Sequence, residues 1–448
     1  EKDLLGVITK NLASSSSVSG YNLKDVFGDF EDIILKFGAK TANLIKISWL
    51  KGVKIPEGFA IGIDTFKAFV KSHKSIKNKI DVLENKIEEY LNTHQEATNG
   101  EIGVFVNSIN PDIESLQKNL LDSELSLNIR ESLKTLYLYL CKECGKNNIP
   151  VAVRSSASAE DMEGASFAGR YDSYLNQIGT EQFLDSVKKC WASLYNNRAI
   201  VYQMELRRQA LSKNKSEQFK LSTIYMSVLV LRSINALSAG VGFSINKQDG
   251  KEGTTVYANY GLGESVVGGN IVADCWIFDR NNRLVMERRG TKDEMYIQEI
   301  NGGTIRKLVS SQLRYSFCIT RGQVQKIVEG INSIKKAYEI PVDVEFVFGA
   351  SSGELYFLQA RAETTWAGRE SVITVVDPQI SEKSKVIFQG GLPITFTAYT
   401  GYLRVIGNNL EEAKKRVEFG DIVVAKATTP LWEPVLFKAG AAVVDLGD

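Results

Sequence analysis

Four side chains in this sequence have the types and settings needed to handle a phosphorylated ligand: Lys40, Arg154, Glu345 and Gln359. Phosphate chemistry needs fixed positive charge, donors that approach closely, and hard oxygen atoms that hold Mg²⁺. Lys40 follows Phe37-Gly38-Ala39, just ahead of an apolar-periodic run of Ala42, Leu44, Ile45 and Ile47. That order predicts a loop and then a helix N-terminus, where a lysine can reach a phosphate beside backbone N–H groups. An ordinary exposed lysine would have the same local sequence. Arg154 closes the strand-like VAVR and offers a planar fork for two phosphate oxygens. It reads equally as a salt-bridge partner of Glu160 or Asp161. Beyond it, Gly164, Ala165, Ser166, Ala168 and Gly169 lack bulk. Such a run can fold over a polyphosphate and present N–H groups, and it can also be a plain surface loop.

Glu345 and Gln359 lie near the centres of two alternating stretches in VDVEFVFGASSGELYFLQAR, joined by a Gly/Ser turn. The pattern predicts a β-hairpin over 342–361. Strict alternation puts Val342, Val344, Phe346 and Phe348 on one face and Asp343, Glu345 and Val347 on the other. A carboxylate and an amide then face each other across an otherwise apolar hairpin. Buried polar groups of this kind need a partner, and Mg²⁺ bound to phosphate is one. A solvated outer face is the alternative.

The elements that must position these groups are legible in outline. The chain has 448 residues, 44% of them hydrophobic and 24% charged, which suits a soluble globular protein of several domains. Residues 73–149 are Lys/Glu/Leu-rich and helical. Residues 180–213 read as one helix, with Phe183, Val187, Trp191, Leu194 and Tyr195 at helical spacing. Residues 223–246 read as a β-hairpin or strand pair, and ITRGQVQKIVEGINSIKKAYEI as an amphipathic helix. Residues 367–384 read as a linker, after which short strands and helices alternate as in a small α/β domain.

Several classes are set aside. A net charge of +1 leaves no broad basic face, so no nucleic-acid partner is expected. No apolar run reaches the ~18 residues of a membrane span, and no signal-peptide pattern opens the sequence. The five cysteines include a single CxxC, Cys141 and Cys144, with no second ligand pair. They read as thiols at the end of a helix that stops at Gly145, in a reducing cytoplasm.

VAVRSSASAEDMEGASFAGRYDSYLN resembles the signature of the nucleotide-binding domain in the phosphoenolpyruvate synthase and pyruvate phosphate dikinase family. The likeness extends to FGAKTANL, GVKIPEGFAI, CWASLYNNRAIVY, NYGLGESVVGG and VDVEFVFGASSGELYFLQAR, in family order. GLPITFTAYTGYLRVIG and GDIVVAKATTPLWEPVLFKAGAAVVDLGD resemble the start and centre of the family's phosphohistidine domain.

The resemblance implies an α+β protein: an ATP-grasp domain of two lobes, then a partial α/β swivelling domain. The lobes would span 1–222, with a helical insert, and 223–366. The linker would be 367–384 and the phosphohistidine domain 385–448. The family's phosphoryl-carrying histidine would fall just past Asp448; His73 and His94 lie in the early helical region and cannot replace it. The implied cofactors are ATP and Mg²⁺. Lys40 and Arg154 match phosphate-binding residues, Arg361 a phosphate-contacting arginine, and Glu345 and Gln359 the metal-binding pair. Gly164 to Gly169, including Ser166 and Ala168, match the loop that covers the phosphates. Leu231 and Arg232 fall at the adenine-side hinge, where Leu231 replaces a glutamine, and Glu264 in GLGE is a further nucleotide-site residue. The implied activity is a dikinase reaction: ATP phosphorylates the carrier histidine, one phosphoryl group is released as phosphate, and the other passes to an acceptor, leaving AMP. The domain order favours pyruvate as acceptor. A dikinase for another small hydroxyl compound, of the rifampin or phenol type, and a non-catalytic ATP-binding regulatory module are the alternatives.

Overall fold

The computed structural model describes residues 5–6, 30–157, 171–211, 220–246, 252–267, 271–363, 401–407, 409–427, 432–436 and 438–446. The loop 164–169 and the linker 367–384 lie outside them.

The described residues form two antiparallel sheets, a helical layer, and a smaller parallel sheet. The first sheet contains β1 (Leu5–Gly6), β2 (Gly58–Ile61), β3 (Pro150–Ala157), β4 (Ser173–Ile178) and β5 (Met226–Arg232), ordered β1-β2-β5-β3-β4. α1 (Phe30–Ser48) precedes β2. A helical layer follows: α2 (Ile63–Ser72), α3 (Lys74–Thr93), α4 (Asn99–Ser108), α5 (Asn110–Asp122) and α6 (Leu127–Glu143). Thr98 and Glu101 form a reciprocal capping box that starts α4, and Pro111 opens α5, both ordinary N-terminal signals. α6 ends at the predicted place, with Gly145 at φ 66° just past Cys144.

The segment expected as one helix over 180–213 is two, α7 (Gly179–Ser193) and α8 (Asn197–Leu211). Leu194 and Tyr195 are buried in the break, so their apolar spacing reports burial and not a continuous helix.

The second sheet has β6 (Ala236–Ile245), β7 (Glu252–Tyr260), β8 (Asp274–Asp279), β9 (Leu284–Arg288), β12 (Val342–Gly349) and β13 (Leu355–Ala362), ordered β13-β12-β6-β7-β8-β9. Between them in sequence come α9 (Glu264–Val267), a separate hairpin of β10 (Glu294–Gln298) and β11 (Thr304–Leu308), α10 (Ser311–Arg314) and α11 (Arg321–Tyr338). α11 begins at a Thr320/Gln323 capping box. Its buried stripe of Val324, Ile327, Val328, Ile331 and Ile334 has helical spacing and shares a core with Val344, Phe346 and Phe357.

Residues 223–246 are therefore not a hairpin: they supply two strands that join different sheets. β5 lies in the middle of the first sheet, between β2 and β3, whereas β6 pairs with β7 and β12 in the second. Both are apolar runs, and nothing in either run states which sheet it will join. β5 is buried along nearly its whole length because both neighbouring strands and both faces are covered.

The two sheets share a core. Leu44, Ile47, Val53, Leu229 and Leu231 of the first half pack with Trp276, Phe346 and Phe357 of the second. The β10–β11 hairpin reaches back to the first sheet. Asn176 on β4 donates through Nδ2 to the carbonyls of Glu299 and Gly303, both at 2.7 Å, and Gly303 N donates to Asn176 O at 2.8 Å.

The last described part is a parallel sheet of β14 (Leu403–Gly407), β15 (Ile422–Ala427) and β16 (Ala441–Leu446), with α12 (Leu410–Arg416) and α13 (Glu433–Leu436) between strands. Parallel neighbours require such crossovers, so the alternation read from the sequence corresponds to real α/β units here.

Candidate functional site

Arg154 lies on β3, opposite Leu229 of β5, and its guanidinium crosses to the second sheet. Nη2 donates to Glu345 Oε2 at 2.6 Å and to Gln359 Oε1 at 3.0 Å, while Nη1 donates to the Leu358 carbonyl at 3.0 Å. The side chain is 11% exposed, so these are charge-assisted bonds in a largely dry setting.

β12 and β13 place the acceptors. Glu345 and Gln359 are direct register partners, as the hairpin pattern predicts. The next pair is Phe346 with Phe357, so Leu358 has no counterpart on β12. That bulge turns the Leu358 carbonyl toward Arg154. The alternation read from the sequence holds along β12: Val342, Val344, Phe346 and Phe348 share one core, while Val347 lies on the other face, where it packs with Ala239 and Tyr356.

Lys40 comes from α1. The helix is kinked at Gly38, where φ is 75°, so the second half of α1 begins there, much as the glycine predicts. A Cβ at Gly38 would overlap Ser156, and this close approach seats α1 on β3. Ser156 and Ser227 hydroxyls both donate to the Phe37 carbonyl, at 3.0 and 2.5 Å, which satisfies an acceptor exposed by the kink. Lys40 Nζ then donates to the Ser155 carbonyl at 2.8 Å, one residue from Arg154.

Arg361 lies two residues beyond Gln359 and is held by Asp343. Its Nε donates to Asp343 Oδ1 at 2.9 Å and Oδ2 at 2.7 Å. Asp343 was not singled out from the sequence, although the D-V-E alternation places it beside Glu345 on the same strand.

The electrostatics separate the two carboxylates. Burial pushes Glu345 up, but Arg154, Arg361 and Lys40 together outweigh it and hold the carboxyl below its ordinary range. Burial pushes Asp343 up to about 6, with Glu363 and Glu345 adding to the rise and Arg361 opposing it. Glu345 is thus an anion at neutral pH, surrounded by cations from both sheets.

The remaining candidates are placed differently. Leu231 is on the same face of β5 as Leu229, buried in the core shared by the two sheets, with β2 and β3 on either side. Arg232 is held by Glu57, whose carboxylate accepts from Nε at 2.5 Å and whose carbonyl accepts from the Arg232 N–H at 2.7 Å. Neither hydrogen-bonds to the Arg154 cluster. Glu264 opens α9, and its Oε2 is buried with no hydrogen-bond partner among the described residues. Burial raises its carboxyl, and a hydrogen bond from Thr304 opposes the rise.

Glu345 and Gln359 have donor atoms that fit Mg²⁺: a carboxylate and an amide oxygen, both hard acceptors, already converging on one cationic nitrogen. Among the described residues no group of three or more His, Cys, Asp or Glu side chains could hold a metal. A two-ligand set suits Mg²⁺, which commonly takes its remaining ligands from phosphate and water.

Two sheets share one core, and an arginine from the first meets a carboxylate–amide pair on the second, which defines the class as a mixed helix-and-sheet protein with a charged cluster between its sheets. The chain belongs to the family of the pyruvate phosphate dikinase AMP/ATP-binding domain, whose model matches residues 34–381. It is 30% identical over 415 residues to a probable phosphoenolpyruvate synthase of Methanothermobacter thermautotrophicus, covering 92% of this chain and 54% of that protein. It is 29% identical over 435 residues to the phosphoenolpyruvate synthase of Pyrococcus furiosus, covering 92% and 51%. An uncharacterized phosphotransferase of Bacillus subtilis, YvkC, is 32% identical over 330 residues, covering 73% and 33%. The chain thus spans about half the length of these two phosphoenolpyruvate synthases. Among solved structures, a D-alanine–D-alanine ligase from Bacillus anthracis complexed with ATP aligns over 62% of this chain and 72% of that one. The two are 9% identical, with a TM-score of 0.18. Among the described residues no helix is long and apolar enough to cross a membrane.

Proposed function

We propose that this chain binds ATP–Mg²⁺ between its two sheets, which act as the lobes of an ATP-grasp domain, and starts a dikinase reaction. The observation that carries the reading is the convergence of Arg154, Glu345 and Gln359 across the two sheets, with Lys40 and Arg361 alongside. Lys40 and Arg154 bind and orient the terminal phosphates; Lys40 is fixed by the Ser155 carbonyl and needs little ordering on binding. Arg361 adds a third cation, aimed by Asp343. Glu345 and Gln359 hold Mg²⁺, which when bound neutralises charge on the triphosphate.

The phosphoryl acceptor is a histidine outside this sequence, presented by the domain to which the described parallel sheet belongs. One phosphoryl group is transferred to a water molecule and leaves as phosphate, the other passes to a small acceptor, and AMP remains. Pyruvate is the favoured acceptor, in keeping with the names of the relatives, and phosphoenolpyruvate the product.

Equilibrium binding of ATP with and without Mg²⁺ tests the site. Wild type should bind ATP in an Mg²⁺-dependent way, and Glu345→Ala should weaken binding by about tenfold or more, equivalent to about 1.4 kcal/mol. Absence of ATP binding by the wild type would overturn the reading. The acceptor is tested in the protein that carries the histidine and acceptor domains: AMP and phosphoenolpyruvate should form from ATP and pyruvate, and no phosphoenolpyruvate would remove pyruvate from the proposal.

A further inference from the structure

The fork of Arg154 occupies the oxygens that the proposed function gives to the metal. Nη2 lies 2.6 Å from Glu345 Oε2 and 3.0 Å from Gln359 Oε1, so one nitrogen satisfies both members of the pair. Nη1 is fixed by the Leu358 carbonyl at 3.0 Å, an acceptor available only because the bulge leaves Leu358 without a β12 partner. The arginine is therefore anchored from three points on the second sheet while its backbone belongs to the first.

We infer that Arg154 is an internal stand-in cation that keeps the metal pair closed until a triphosphate draws it away. This rests on the nucleotide-site reading above and adds to it an order of events. A divalent ion and the guanidinium compete for the same two oxygens, and like charges so close repel. Metal binding to the empty protein must displace the two charge-assisted hydrogen bonds to Glu345 and Gln359, with no phosphate to receive the freed guanidinium. When a triphosphate is present, its oxygens offer Arg154 a replacement for Glu345, Gln359 and Leu358, and the pair opens to the metal that the nucleotide carries. The lock also ties the sheets together: while Arg154 is held, β3 is pinned to β13, and its release loosens that link as the ligand enters. The ligand class follows from the exchange. It must be an anion with several oxygens, able to satisfy a planar fork, that arrives with its own divalent cation. A metal ion alone, or an anion alone, meets only half of this requirement.

The arithmetic is that of a binding-competent minority. If the closed arrangement holds about nine-tenths of the empty molecules, removing it tightens metal binding about tenfold. Loss of a nearby positive charge would also favour a divalent ion, so a charge control is needed. Lys40 supplies one: its charge lowers the Glu345 carboxyl, and its Nζ donates to the Ser155 carbonyl.

The experiment is an electron paramagnetic resonance titration of the full chain with Mn²⁺ in the absence of nucleotide. Arg154→Ala should bind Mn²⁺ about tenfold more tightly than wild type, and Lys40→Met should show a clearly smaller gain. Arg154→Lys keeps the charge but cannot span both oxygens and the carbonyl, and it should fall between wild type and Arg154→Ala. Should Arg154→Ala not fold, as judged by circular dichroism, Arg154→Lys against Lys40→Met decides the matter. Mn²⁺ binding by the Arg154 variants no tighter than by wild type, or a gain matched by Lys40→Met, overturns the lock. ATP binding by the wild type is measured alongside. If it is present while the Mn²⁺ results fail, only the lock is lost; if it is absent, the site reading is lost with it.

Discussion

Arg154 on the first sheet donates to the Leu358 carbonyl on the second at 3.0 Å, and Leu358 is the one residue of that part of β13 that β12 leaves unpaired. A bulge in one strand thus creates the acceptor that orients a side chain from another sheet. Because the same guanidinium holds Glu345, the pair is a measurable unit. A double-mutant cycle with Arg154→Ala and Glu345→Gln, read by urea denaturation, should give a coupling energy of about 1–3 kcal/mol. A coupling near zero would mean that the two groups are not paired in solution.

Asp343 should give stability a pH dependence of a definite sign. Its folded-state pKa is raised from 3.8 to about 6 by burial. The protonated form is thus favoured on folding, so the contribution is fully present below about pH 4 and is lost as pH rises through about 6. A rise of about 2 units corresponds to about 3 kcal/mol. The stability of wild type minus that of Asp343→Asn should fall by that order between pH 4 and pH 7. Glu345 acts in the opposite sense, since its carboxyl is held low, and comparison with Asp343→Asn removes its contribution. A flat difference across this range would contradict the assignment.

Gly38→Ala should be costly for two separate reasons. The residue sits at φ 75°, and a Cβ would overlap Ser156. Gly353→Ala supplies the comparison, because φ there is 64° but a Cβ would meet nothing within 4 Å. Gly353→Ala should lose about 1 kcal/mol or somewhat more from backbone strain alone. Gly38→Ala should lose clearly more, and its affinity for ATP should fall as Lys40 shifts. Equal thermal midpoints for the two variants would show that the Ser156 contact does not constrain α1.

Asn176→Ala should free the β10–β11 hairpin without unfolding the sheets. Asn176 Nδ2 bonds two carbonyls in the hairpin turn, Glu299 and Gly303, and a buried hydrogen bond lost in this way typically costs about 1–3 kcal/mol. Amide exchange should accelerate at Gly303, whose N–H is held by the Asn176 carbonyl, while strand β12 stays protected. Unchanged exchange at Gly303 would show that the backbone bond alone suffices.

Much of the site was readable because it is local. The spacing of Glu345 and Gln359 about a Gly/Ser turn implies their pairing, and the structure makes them direct partners. Gly38 ahead of a helical run implies the restart of α1 that carries Lys40. The bulge at Leu358 was not readable, because one extra residue leaves the apolar pattern almost unchanged while altering the direction of a carbonyl. Asp343 was overlooked because a carboxylate on a strand looks the same whether it faces water or Arg361.

By itself the sequence determined the local elements, the residue types available for phosphate and Mg²⁺, and the family to which the chain belongs. Periodicity, turn residues and short motifs act over a few neighbours, so they survive in one dimension. Only the tertiary structure decided that β5 joins the first sheet and β6 the second, and that Arg154 reaches Glu345, 191 positions further along the chain. Those outcomes depend on which apolar faces cover one another, and that competition among distant segments leaves no mark on the segments themselves.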